Sequence, residues 1–334
     1  MPRTLFNRLD PSFSCELPDG LCLLAYRGSI AHNMYIPNSD PNSIDDVDIM
    51  GVVLGPEQCY LGLKEWGSRG TKETKQGRYD CVWYEIRKMI SLLLQGNPNV
   101  LSLLWVRNEH YLYLNGFGRE LIHNRELFVG KHVYNAFAGY AHAQLDKMET
   151  RDPAELREYM AVTAELKRRG VHPNHKGEVF DIPEPEYGIE KDVAGWSFDT
   201  LMQRLRHFQK KGENIGYLGE KRKELVLQHG YDSKNAAHCV RLLRMCKEFL
   251  TTGELEVYRT SDADELLDIK CGKWPLEQVK QLARDLFADI RIARDKSELP
   301  SEPDRKAAER MLVGILRRHL ALGASATTGG SAMS

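Results

Sequence analysis

Most of the chemistry available to this sequence lies in its first 90 residues, at three aspartates and one glycine-serine pair. Asp46 and Asp48 open an apolar run that ends at Leu54. Asp80 opens a shorter one through Val82, Trp83 and Tyr84, and Gly28-Ser29 follows the run from Leu21 to Tyr26. Residues i and i+2 of a strand share a face, so Asp46 and Asp48 are expected to project together. Two neighbouring carboxylates are costly without a cation between them. A divalent metal supplies that cation, and Mg²⁺ suits a few carboxylates completed by waters and substrate phosphates. Two such ions can hold the entering and leaving oxygens of an in-line displacement. The Gly28-Ser29 turn serves a different need. Glycine lets backbone approach a triphosphate, and the neighbouring amides and the Ser29 hydroxyl can donate to it. A helix starting near Ile30 would add its dipole. A third acid on an adjacent strand could hold a second ion and accept the proton of an attacking hydroxyl. Asp80 is the first candidate. Glu85 is its competitor, on the opposite face of the same strand or at the start of the next helix.

Each feature has an ordinary reading when taken alone. Gly-Ser is most often a plain turn, Asp-x-Asp a solvated strand end, and Asp80 after Gly77-Arg78-Tyr79 a turn residue. Their combination, each at the end of a strand, carries the argument.

Those residues need strands to hold them. Residues 21–26 are almost continuously apolar and meet Arg27-Gly28, as a buried strand running into a tight turn would. Residues 46–54 are apolar on both faces, which suits a central strand. Residues 37–43, rich in Pro, Asn, Ser and Asp, read as a loop, and the polar, glycine-punctuated residues 68–77 read as a flexible one. From Ile86 the apolar period becomes helical: Ile86, Met89, Ile90, Leu93 and Leu94. Gly96-Asn97-Pro98 stops that helix, and Asn99 can cap a following one over 100–106. The remainder reads as helices near 128–149, 153–169, 197–211, 217–229, 233–252, 275–296 and 302–322, with a loop-like stretch over 171–195. Asp232 or Ser233 is a candidate cap for the helix at 233.

Composition excludes several classes. The formal net charge is -1 and 28% of residues are charged, so no global basic character advertises nucleic acid, although a local field is enough at a site. The seven cysteines form no CxxC pair and several lie in apolar runs, which fits buried thiols in a reducing compartment rather than zinc or disulfides. No stretch approaches the ~20 apolar residues of a membrane helix, and residues 1–9 lack a signal-like apolar segment. A cytoplasmic protein without membrane attachment is expected.

The motifs Arg27-Gly28-Ser29-Ile30-Ala31-His32 and Asp45-Asp46-Val47-Asp48-Ile49-Met50-Gly51-Val52 resemble the DNA polymerase β-like nucleotidyltransferase superfamily, and within it the predicted nucleotidyltransferases of bacteria and their viruses. Later stretches are similar in order: Tyr84-Glu85-Ile86-Arg87-Lys88, Gly96-Asn97-Pro98, His229-Gly230-Tyr231-Asp232-Ser233-Lys234-Asn235, Thr252-Gly253-Glu254-Leu255 and Leu299-Pro300. The resemblance implies an α+β fold: a catalytic α/β domain at 1–125 with a mixed sheet and flanking helices, then a helical domain at 126–322. The Ala, Ser, Thr and Gly-rich residues 323–334 are expected to be a disordered tail. It also implies transfer of a nucleoside monophosphate from an NTP, with Mg²⁺ or Mn²⁺ as cofactor. Gly28 and Ser29 become phosphate contacts, Asp46 and Asp48 metal ligands, and Asp80 (or Glu85) the third acid. Two departures stand out. Relatives often place a second glycine near Asn33, and the gap from Ser29 to Asp46 is long.

By the same analogy Lys234, His238 and Arg241 face the nucleotide. Their i, i+4, i+7 spacing independently puts them on one helix face, which suits either a triphosphate or a solvated basic face with His238 packed beside it. Lys221, Arg222 and Lys223 are consecutive and cannot share a face. The acceptor is left open between a protein side chain, an RNA end and a small molecule. Two other classes compete: a nucleotide-binding module without catalysis, and a metal-dependent phosphodiesterase, which the absence of an HD pair near the acids disfavours.

Overall fold

The run Leu-Cys-Leu-Leu-Ala-Tyr forms strand β1 (Leu21–Tyr26), buried from Cys22 through Ala25 because both faces are covered. Here and below, the computed structural model describes residues 16–37, 39, 46–149, 153–171, 193–211 and 220–328. The chain leaves β1 through Arg27 into a single turn, α1 (Gly28–Ala31), with Gly28 at φ +59°. Of the expected loop over 37–43, only residues 37 and 39 are among those described, and Asp45 also lies outside them. Strand β2 (Val47–Val53) follows, then β3 (Thr71–Gln76) and β4 (Tyr79–Glu85). Helices α2 (Ile86–Leu94) and α3 (Pro98–Leu101) lead to β5 (Tyr111–Leu114) and α4 (Gly116–His123).

The five strands make one mixed sheet in the order β3-β4-β2-β1-β5. β2 and β4 are parallel and the other neighbours antiparallel. β2 is central, as its two-sided apolarity requires. Val47 and Ile49 of β2 join Tyr79, Cys81 and Trp83 of β4 and Leu24 of β1 in one buried cluster on one face. Strict alternation puts Asp48 and Asp80 on the other face. Gly51 belongs to this packing: a Cβ there would lie 2.4 Å from the Trp83 ring.

Residues 71–76 depart from the flexible loop expected of them. They pair fully with β4 as an edge strand, while Lys72, Glu73, Lys75 and Gln76 stay exposed. Their polarity is that of a sheet edge kept from pairing with other chains. The cap after α2 also differs: Asn97, not Asn99, accepts from the Asn99 and Val100 amides, and α3 passes into a 3₁₀ turn at Ser102–Trp105.

Beyond β5 and α4 the described chain is helical: α5 (Val133–Glu149), α6 (Pro153–Arg168), α7 (Phe198–Lys211), α8 (Glu220–His229), α9 (Ser233–Thr252), α10 (Ala263–Lys270), α11 (Leu276–Lys296) and α12 (Arg305–Thr328). The expected α+β class is therefore the observed one, a mixed sheet with helices followed by a helical region. α12 runs past 322 to Thr328, and residues 329–334 of the expected tail lie outside the described residues. Asp232 rather than Ser233 caps α9: its Oδ1 accepts from the Asn235 amide, while the Ser233 hydroxyl donates to the Lys270 carbonyl.

The chain forms two compact units. One comprises Met1–Ala141, Arg241–Leu266 and Ala283–Ser334, and the other His142–Val240 and Leu267–Leu282. The second has its own core, where Leu156, Val162 and Leu166 of α6 meet Leu201, Leu205 and Phe208 of α7 and Val226 of α8. Cys22, Cys59, Cys81, Cys239 and Cys246 are buried free thiols. Among the described residues no helix is long and apolar enough to cross a membrane.

Candidate functional site

Parallel pairing of β2 with β4 sets Asp48 directly beside Asp80. A guanidinium spans them: Arg27 Nη2 lies 3.5 Å from Asp48 and 3.6 Å from Asp80. Arg27 is anchored there by its own backbone, whose amide donates to the Asp48 carbonyl at 2.9 Å. The next residue, Gly28, is pressed against the same aspartate. A Cβ at Gly28 would stand 2.1 Å from Asp48 Oδ2, so glycine is demanded both by this contact and by its positive φ. Turn and carboxylate are thus in close contact.

Asp46, immediately before β2, takes a different partner. Lys75 of the edge strand donates to its Oδ2 at 2.8 Å. The hydrogen bond that Lys75 donates to Asp46 raises the Lys75 pKa, and the charges of Asp46, Asp80 and Asp48 add to it, against the opposing effect of partial burial. One ammonium therefore feels all three carboxylates. Asp80 and Lys75 are also cross-strand partners in the antiparallel β3–β4 ladder. Glu85 lies elsewhere: it is 3% exposed, on the opposite face of β4, and caps α2 through Arg87 N–H while accepting from the Tyr60 hydroxyl at 2.9 Å.

The turn is held from behind. His32 is buried, with Nδ1 2.8 Å from the Val257 carbonyl and Nε2 2.6 Å from Arg241 Nη1. A carbonyl only accepts and a guanidinium only donates, so Nδ1 carries the proton, Nε2 accepts, and the ring is neutral. Asn33 takes φ +58°, the left-handed conformation that favours glycine. Asparagine tolerates it, and its Nδ2 donates to the Arg259 carbonyl at 2.9 Å. The departure at Asn33 thus keeps the turn's shape. Burial, and next the charge of Arg259, push the Arg241 guanidinium well below its ordinary pKa. Arg241 also donates to Met245 Sδ, so it touches the turn through His32. Lys234 and His238, on the same helix, belong to the second unit and are half-buried there.

Among the described residues no group of three or more His, Cys, Asp or Glu side chains is gathered to hold a metal. Asp48 and Asp80 nevertheless fit a divalent ion. They are hard oxygen donors side by side, already bridged by a cation, and Mg²⁺ needs only one or two carboxylates when waters and phosphates complete its shell. Arg27, Lys75 and His32 escaped the sequence reading as functional residues. Arg27 could have been found from its place before Gly28. Lys75 could not, because its role depends on an edge strand that reads as a loop.

Residues 28–164 match the model of the RNA repair pathway DNA polymerase beta family. The chain is also 23% identical over 303 residues to an uncharacterised 38.9 kDa protein encoded in the nrdC–mobD intergenic region of Enterobacteria phage T4, covering 80% of this chain and 88% of that one. No solved structure matches the chain. The stretch from Gly28 to residue 164, which holds the Gly28-Ser29 turn and all three aspartates, is thus similar to a polymerase-β-like nucleotidyltransferase family.

Proposed function

We propose that this protein transfers a nucleoside monophosphate from an NTP to the terminal hydroxyl of an RNA, releasing pyrophosphate. The reading rests above all on one observation, the pairing of Asp48 with Asp80 on parallel strands with the Gly28 turn against Asp48. The backbone amides after Gly28 and the Ser29 hydroxyl receive the phosphates. The acceptor oxygen attacks the α-phosphorus, the bond to the β-phosphate bridging oxygen breaks, and the hydroxyl proton passes to Asp80. Asp48 and Asp80 would hold Mg²⁺ or Mn²⁺, with Asp46 able to join them only on leaving Lys75, and the ion would supply positive charge to the α-phosphoryl group and the departing pyrophosphate. Residues 1–125 carry these groups, and the helical residues after them bear on the choice of acceptor. The RNA acceptor is favoured over a protein or small molecule because the matching family model is described by an RNA repair pathway.

The test is incubation with each α-labelled NTP, Mg²⁺ or Mn²⁺, and RNAs of defined termini, with pyrophosphate release measured in parallel. Label is expected at an RNA end, and its transfer should fall at least about a hundredfold in Asp48→Asn. NTP binding by calorimetry without pyrophosphate release would identify a binding module instead. Label in protein or in a small molecule would move the acceptor.

A further inference from the structure

Arg27 is the residue at the site whose position no part of the proposed reaction explains. Its guanidinium stands between the two carboxylates that a divalent ion would need. Its Nε–H is buried without a hydrogen-bond partner among the described residues, so this seat leaves part of the guanidinium fork unused. Its main chain is fixed by the bond to the Asp48 carbonyl, so only the side chain is free to leave. The residue next along the chain is Gly28, where the phosphates would lie. Guanidinium and divalent ion cannot occupy the same gap, and a planar fork of donors matches phosphate oxygens as well as it matches carboxylates.

We infer that Arg27 is an exchangeable counter-ion: it neutralises Asp48 and Asp80 when no divalent ion is bound, and yields to the ion by swinging onto the NTP phosphates. The inference rests on the nucleotidyltransferase reading. Its consequence is that metal and nucleotide each ease the binding of the other through one side chain. Without nucleotide the displaced guanidinium loses two ion pairs and gains nothing. With nucleotide it exchanges carboxylate for phosphate. By thermodynamic reciprocity the nucleotide must then tighten metal binding by the factor by which metal tightens nucleotide binding.

The experiment measures Mn²⁺ affinity by electron paramagnetic resonance, with and without a non-hydrolysable NTP analogue, in the full-length wild type, Arg27→Met, Arg27→Lys, Lys75→Met and Asp48→Asn, with folding checked by circular dichroism. Arg27→Met should bind Mn²⁺ alone about threefold to tenfold more tightly, the scale of two partly exposed ion pairs removed. It should also lose most of the enhancement by nucleotide. Arg27→Lys, which keeps the charge but not the fork, should fall between. Lys75→Met removes the same charge from Asp46, and should tighten Mn²⁺ while leaving the nucleotide enhancement intact. That contrast separates exchange from a general change of field. Unchanged or weaker Mn²⁺ binding in folded Arg27→Met, or an unchanged nucleotide enhancement, overturns the role of Arg27 while Asp48→Asn still loses the ion. Failure of the wild type to bind Mn²⁺ at all overturns the metal reading beneath it, and this inference with it.

Discussion

Asp80 and Glu85 sit five positions apart on one strand, so alternation sends them to opposite faces, and their surroundings assign them different work. Asp80 is half-exposed beside Asp48. Glu85 is enclosed, accepting from Tyr60 and from the first turn of α2. Asp80→Asn should therefore cut nucleotidyl transfer by at least about a hundredfold with an unchanged melting temperature. Glu85→Gln should lower stability by about 1–2 kcal/mol through the weakened cap, with turnover per folded molecule kept. Urea melts and single-turnover transfer on both variants check this. Equal stability loss in the two, or transfer lost only in Glu85→Gln, would exchange their roles. At this scale the sequence was informative where residue type alone decides. Gly28 is glycine because Asp48 crowds it, and that pairing is visible as a motif. The place of Arg27 before Gly28 is visible too, but its seat between the two aspartates is not until β4 is set beside β2.

Elements were legible where apolar period and burial coincide, as in β1, β2, α2 and α9. They were obscure where pairing is carried by backbone alone. β3 has the composition of a loop, yet its amides and carbonyls complete the sheet and deliver Lys75 to Asp46. β5 and α10 are too short for their period to stand out. The α1 turn shows what a short element needs from elsewhere. Four residues cannot hold a helix by themselves, and this one is pinned through His32 and Asn33 to residues more than 200 positions away. Arg241→Met removes the donor facing His32 Nε2 and leaves a buried acceptor unmet, a cost of about 1–3 kcal/mol. The amides of His32 and Met34, which close the turn on the Gly28 and Ser29 carbonyls, should then exchange with solvent faster than those of β2. Hydrogen exchange resolved by residue reads this directly, and protection of those two amides equal to wild type would deny Arg241 a positioning role.

At the scale of the whole molecule, chain order and compactness part company. Motifs read in sequence suggest a catalytic segment followed by a helical one, but the unit containing the sheet also takes in 241–266 and 283–334. No local pattern announces such a return, because its contacts depend on what the intervening chain does. Within the 241–266 segment, beside its buried apolar residues, runs an ionic network. Arg259, 1% exposed, is forked to Glu248 and Asp262, and Arg244 joins Asp262 to Glu265. Burial alone would raise the Asp262 pKa, but the hydrogen bonds and charges of Arg259 and then Arg244 hold it below its ordinary value. A carboxyl depressed in the folded state stabilises the fold above its unfolded pKa of about 3.9, and that contribution disappears as pH falls through the folded value. Wild-type stability should thus be insensitive to Asp262 from pH 7 down to about 5 and decline below about pH 4. Arg259→Met strands Glu248 and part of Asp262, so at neutral pH it should cost about 3–5 kcal/mol, with a shallower further loss in acid. Glu165 of the other unit, held down to about 2 chiefly by the hydrogen bond from Arg168, keeps its own acid dependence in both proteins. Subtracting the two urea-midpoint profiles between about pH 2.5 and about pH 7, which brackets the carboxyl range, isolates the Arg259 network. A constant difference across that range would mean that Asp262 does not draw its depression from Arg259. A negligible difference at pH 7 would mean that the network adds nothing to the stability of the returning segment, and that the apolar burial of Leu255 and Val257 suffices.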